Sequence, residues 1–172
     1  MVTEYRKGDY VKYSTNGVCF IEDINSTDFN PKENNATYYI LRPLATSGTV
    51  IFVPTDNEAL VSKMRKILTK EEIDRIIFLI DKEKIEWIDD KKERSIYFNE
   101  IIRKDDTIEL LRLASCIYLK RAELIENGKK LLASDFNILE HIEKLVVNEF
   151  SFVLGIDMTN VGDYIKEKLS IL

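Results

Sequence analysis

The pair Asn16-Gly17 is the feature that most constrains this chain. It interrupts a β-type stretch, residues 8–24, and Asn-Gly reaches the backbone angles of a tight hairpin turn at low cost. The stretch therefore reads as strand, turn, strand. Two further β-rich runs, residues 38–42 and 49–53, are separated by a second turn at residues 44–48. At least four strands thus fall in the first third, which predicts a small antiparallel barrel. Between the second and third strands, the polar residues 28–35, with Pro31 among them, read as an exposed loop.

Beyond Pro54 the composition turns from β-branched to helical. Residues 56–64 read as a short helix or turn that closes the barrel. Thr69-Lys70-Glu71-Glu72 has the form of a capping box, in which the Thr69 hydroxyl and the Glu72 carboxylate each satisfy an orphan backbone N–H. The helix it opens carries Ile73, Ile76, Ile77 and Ile80 at the spacing of one helical face. Residues 65–84 are taken as the joint between the two modules. A helix over about residues 88–103 follows. Asp106 to Glu109 then gives a second cap signature, for a long helix through Cys116 and Leu119 that Gly128 stops. Ser134 is placed as the cap of a helix whose Ile138, Leu139, Ile142, Leu145, Val146 and Glu149-Phe150 keep the 3.6-residue period, and Thr159 as the cap of a last one with Val161, Tyr164, Ile165 and Leu169 inward. The fold class expected is β + α in two domains: a β-barrel over residues 1–66 and an all-α helical bundle over residues 67–172.

The inventory argues against catalysis. There is no Gly-rich phosphate loop, no HExxH and no GxSxG, and the one histidine, His141, lies at the flank of a helix core face. Cys19 and Cys116 have no CxxC spacing and read as buried thiols, so neither a metal nor another cofactor is expected. Adjacent carboxylates such as Asp89-Asp90 and Asp105-Asp106 fit helix starts better than a cation site. No apolar run approaches about 18 residues, so no membrane span is expected, and a cytoplasmic monomer is the reading adopted. With a net charge of -5, tight autonomous binding to DNA is not expected either, because phosphate neutralisation supplies most non-specific affinity.

Two places stand out as surfaces. A short barrel leaves a strand edge at residues 49–53, to which a partner strand can add through main-chain hydrogen bonds. Trp87 shares a helix face with Arg94, Phe98 and Ile101 if the helix reaches back that far. The residues alone leave two readings of Trp87: a core tryptophan with Arg94 stacked on it, or an exposed aromatic beside a cation.

In order and spacing, Gly8-Asp9, Tyr13, Gly17, residues 21–24, residues 39–43, Val53-Pro54 and Asn57 resemble the polymerase-interacting domain of the CarD/CdnL family of bacterial transcription regulators. The transcription-repair coupling factor shares that domain. Trp87, Arg94, Tyr97, Leu110-Leu111, Leu131-Leu132 and Glu149-Phe150 are similar to the helical tail of CarD/CdnL, which extends the resemblance over nearly the whole chain. It implies an SH3/Tudor-like barrel that docks on a lobe of the RNA polymerase β subunit, here through Thr27, Thr49, Val50, Ile51, Phe52 and Val53. Some family members carry basic side chains on that surface, where this chain has Thr27 and Phe52. The resemblance also implies that Trp87 wedges into the minor groove at the upstream edge of the promoter bubble, with Lys91, Lys92 and Arg94 beside it. The contact with promoter DNA would be weak and dependent on polymerase. The alternative from another class is a protein–protein adaptor with no DNA contact.

Overall fold

The computed structural model describes residues 5–26, 37–80 and 82–170, and divides into two units, Met1–Leu68 and Thr69–Leu172. The first is a sheet of five antiparallel strands: β1 (Tyr10–Tyr13), β2 (Val18–Ser26), β3 (Thr37–Pro43), β4 (Ile51–Pro54) and β5 (Met64–Lys66). Their order is β4-β3-β2-β1-β5. The β1–β2 connection is wider than a two-residue hairpin. Ser14–Asn16 form a 3-10 turn, with positive φ at Ser14 and Gly17, and the Tyr13 amide closes it by donating to the Gly17 carbonyl at 3.0 Å. Gly17 supplies the left-handed angle that a side chain resists. A bulge at Glu22 lets β2 continue along β3 past the register shift between Ile21 and Asp23.

Alternation puts Val11, Tyr13, Cys19, Ile21, Tyr39, Leu41, Val53 and Met64 on the buried face. The thiol of Cys19 is pushed up to about 11 by that burial. A four-residue helix, α1 (Glu58–Val61), is capped by Asn57, whose side chain accepts from the Leu60 amide, and it leads into β5. The fifth strand was not expected: Met64-Arg65-Lys66 has little β character, and pairing with residues 11–13 of β1 holds it extended. The Tyr5 hydroxyl donates to the Met64 carbonyl at 3.0 Å from the other side. Among the described residues, β4 and β5 are the ends of the ladder, and no pairing joins them. The expected loop at residues 28–35 lies outside the described residues.

The second unit holds α2 (Lys70–Ile80), α3 (Lys91–Lys104), α4 (Thr107–Glu126), α5 (Ala133–Leu154) and α6 (Val161–Ser170). The capping box forms as the sequence predicts: the Glu72 amide donates to Thr69 Oγ1 at 3.2 Å and the Thr69 amide to Glu72 Oε2 at 2.7 Å. Ile73, Ile76, Ile77 and Ile80 are all buried, each contributing about 1.5–3 kcal/mol of apolar transfer. With Phe98, Leu110, Leu113, Ile117, Leu139, Ile142, Phe150 and Val161 they are among the buried apolar residues of the helical unit. The expected joint over residues 65–84 is largely structured, since β5 and α2 occupy most of it.

Three helix starts differ from expectation. α3 starts at Lys91 rather than near residue 88, and Asp90 caps it, as its reading at a helix start expects: its Oδ1 accepts from the amides of Lys92 and Glu93, both at 2.9 Å. Leu132 precedes α5 without a side-chain cap, so Ser134 lies inside the first turn. Asp157 accepts from Thr159 and caps a 3-10 turn, Met158–Asn160, ahead of α6. In α6, Val161 is buried whereas Leu169 is exposed. A carboxylate is a stronger acceptor than a hydroxyl for the N–H groups at a helix start, and at the last one Asp157 takes the place expected of Thr159.

Candidate interaction sites

The first site is the β4 edge. The Thr55 amide donates to the Thr37 carbonyl at 2.9 Å, and the β3–β4 register pairs Tyr39 with Val53 and Leu41 with Ile51. Hydrogen-bonded pairs alternate along an antiparallel ladder, so Ile51 and Val53 turn their backbone groups toward β3, and Phe52 turns its own to the outer side. The side chains divide as well. Val53 is fully buried and Ile51 packs against the same core, while the Phe52 ring is exposed and meets Tyr38 edge-on at 6.5 Å. Thr49 and Val50 precede the strand, and Thr27 lies outside the described residues. Of the six residues named from the sequence, Phe52 is thus the one within β4 that presents both ring and backbone outward.

The second site is the segment before α3. Trp87 lies ahead of the Asp90 cap, outside the helix, so the condition for a continuous face from Trp87 to Ile101 is not met. The indole still meets the residues named with it. It packs edge-on against Phe98 at 6.0 Å between ring centroids, and the Arg94 guanidinium lies over it at 4.4 Å. Trp87 is half-buried. Its placement is therefore neither core nor fully exposed.

Arg94 corrects the sequence reading most. It was placed at the surface as a phosphate contact, but it is 3% exposed. Its Nε donates to Asp135 Oδ1 at 3.2 Å and its Nη2 to Asp135 Oδ2 at 3.0 Å, a bidentate pair with a carboxylate that is itself 3% exposed. Its Nη1 donates to the carbonyls of Ile88 at 2.7 Å and Asp89 at 3.1 Å. All three nitrogens are engaged inside the protein. A guanidinium buried at the first turn of α3 needs that many acceptors, because an uncompensated buried charge is costly.

Lys91 and Lys92 are exposed on the first turn of α3, as expected for solvent-facing cations. Lys120 is the residue that sequence reasoning missed. It comes from α4 to within 5.8 Å of the Trp87 ring while held by Glu123 at 2.9 Å. Only the packing of α3 on α4 brings it there, since 33 residues separate it from Trp87 and no local pattern marks it. The exposed carboxylates Asp89, Asp90 and Glu93 share this surface. Neither site has the groups of an active centre, and among the described residues no cluster of His, Cys, Asp or Glu could hold a metal. No helix among them is long and apolar enough to cross a membrane.

Residues 5–68 match the family model of the CarD-like/TRCF RID domain, and the N-terminal unit belongs to that family. It is a family of non-catalytic domains of transcription regulators that interact with RNA polymerase through the β subunit. The match ends at Leu68, so it does not extend to the helical unit. No curated protein matches the chain in sequence.

Proposed function

We propose that the chain is a transcription regulator in which the N-terminal unit docks on the RNA polymerase β subunit through the β4 edge, and the helical unit contacts promoter DNA at the edge of the bubble through Trp87. The observation that carries this is the family match over residues 5–68, with β4 at an end of the matched sheet. Docking adds a strand of the β lobe to β4, with Phe52 meeting it by ring and main chain. Trp87 supplies an aromatic surface for an unstacked base step, and Lys91, Lys92 and Lys120 are the nearby cations. Arg94 no longer belongs among the DNA contacts.

The mechanism is linkage. A protein that binds the open complex more tightly than the closed one shifts that equilibrium by its differential affinity and no further. Tethering to polymerase raises the local concentration of a chain whose net charge of -5 disfavours DNA on its own. The same charge, with the exposed Asp89, Asp90 and Glu93 a few residues after Trp87, favours a second reading: an adaptor that joins polymerase to another protein and never meets DNA.

A pull-down of the full chain by the isolated β lobe at moderate salt tests the docking. Retention supports it, and no retention ends it. Open-complex lifetime measured with and without the chain then separates the two readings, since the adaptor leaves that lifetime unchanged.

A further inference from the structure

We propose that Arg94 is a positioning residue: from its buried pair with Asp135 it holds the 87–89 segment, and so fixes the direction in which the Trp87 indole faces DNA without touching DNA itself. This rests on the reading of Trp87 as the DNA contact. A plain strut between α3 and α5 requires only the two hydrogen bonds to Asp135. The remaining guanidinium nitrogen instead donates to the carbonyls of Ile88 and Asp89, the two residues that follow Trp87, and the guanidinium Cζ lies over the indole, 4.4 Å from the ring centroid. One rigid group therefore grips the segment by its backbone and its ring by a flat stacking surface. An arginine suits both tasks, because its fork donates in fixed directions and its faces stack on aromatics; a lysine offers neither. The segment itself has no regular secondary structure from residue 84 to residue 88, so it has no ladder of its own to hold the indole.

The chain contains a single tryptophan, so its fluorescence reports on this position alone. Two full-length variants suffice. Arg94→Lys keeps the charge and removes the fork. Arg94→Met combined with Asp135→Leu removes both charges together, which avoids leaving one buried and unpaired. Each is compared with the parent chain at equal folded fraction, fixed by circular dichroism. The expected result is lower Trp87 anisotropy and stronger acrylamide quenching in the protein alone. With polymerase and promoter, open-complex lifetime falls toward that of Trp87→Ala, and adding Trp87→Ala to either variant brings no further loss.

Unchanged anisotropy and quenching in both variants would overturn the proposal and leave Arg94 a structural ion pair. It would also be overturned by lifetime losses that add to that of Trp87→Ala while the salt slope drops by about 1, because Arg94 would then be acting on phosphate itself. If Trp87→Ala alone leaves the lifetime unchanged, the DNA reading fails, and the fluorescence result still decides whether Arg94 holds the segment.

Discussion

The two sites solve the problem of presenting a surface in opposite ways. At the β4 edge the groups proposed to dock are those of the backbone, and their direction is set by the pairing with β3. At Trp87 the group proposed to meet DNA is one side chain on a segment without regular structure, in contact with Arg94 and Phe98. The edge should therefore tolerate changes of side chain and fail on changes of backbone. The Trp87 segment should tolerate little change in the side chains behind it. Rigidity that comes free with a sheet has to be built from buried polar contacts where the chain is irregular.

The largest effect expected is that of Arg94→Ala. It strands the Asp135 carboxylate in the core, and removing one partner of a buried pair costs about 3–5 kcal/mol. Chemical denaturation of the full chain measures this. A cost below about 1 kcal/mol, the range of exposed pairs, would mean that the site is wetter than its burial indicates and would erase the contrast with the edge.

Trp87→Ala comes next. A lost base stack of about 1–3 kcal/mol shortens open-complex lifetime by about 5- to 150-fold. The half-buried ring also gives up its contacts with Phe98 and Arg94, so stability falls by about 1–3 kcal/mol, less than for a tryptophan removed from a closed core. Thermal unfolding beside promoter melting at one salt concentration separates the two losses. A lifetime that declines only with the folded fraction would reduce Trp87 to a packing residue.

At the edge, Phe52→Pro removes an outward N–H and should weaken β-lobe binding by about tenfold, the value of one hydrogen bond of about 1.4 kcal/mol, while the fold persists. Ile51→Pro removes an N–H directed at β3 and should lower stability instead. Titration of each variant against the lobe, with circular dichroism for the fold, checks the pair. Equal behaviour of the two would show that the ladder does not direct the docking.

The smallest effect lies away from both sites. The Tyr164 hydroxyl donates to Asp74 Oδ1 at 2.6 Å and Lys168 lies 3.0 Å from Oδ2, tying α6 to α2. The Tyr164 hydrogen bond, aided by Lys168 and opposed by burial, holds the Asp74 carboxyl below its ordinary value. A depressed carboxyl stabilises the fold above its unfolded value of about 4, and that contribution is lost as pH falls through the lower folded value. Tyr164→Phe should cost about 1 kcal/mol at neutral pH and less under acid. Melting temperatures of both proteins across that range test it, and a gap that widens toward low pH would reverse the assignment.

Much of the fold was legible in local sequence because the decisive contacts are local. The Thr69–Glu72 box, the Asp106 cap and the isoleucine face of α2 each depend on residues within a few positions, where sequence spacing is spatial spacing. The turn at Gly17 and the buried thiols follow for the same reason. Trp87 could be singled out with Arg94 and Phe98 beside it, but not with Lys120 or with the Asp135 partner of Arg94.

What tertiary structure alone decided is everything that joins distant residues. Met64–Lys66 became a strand because β1 offered it a ladder, against its own weak β preference. Arg94 moved from surface to core because Asp135, 41 residues away, supplies a buried carboxylate in the right place. Lys120 reached the indole through the packing of α4. A charged side chain carries no mark in the sequence that says whether it will meet water or a partner. Its position depends on a desolvation cost that only a distant partner can offset, and that partner is chosen by the packing of the helices.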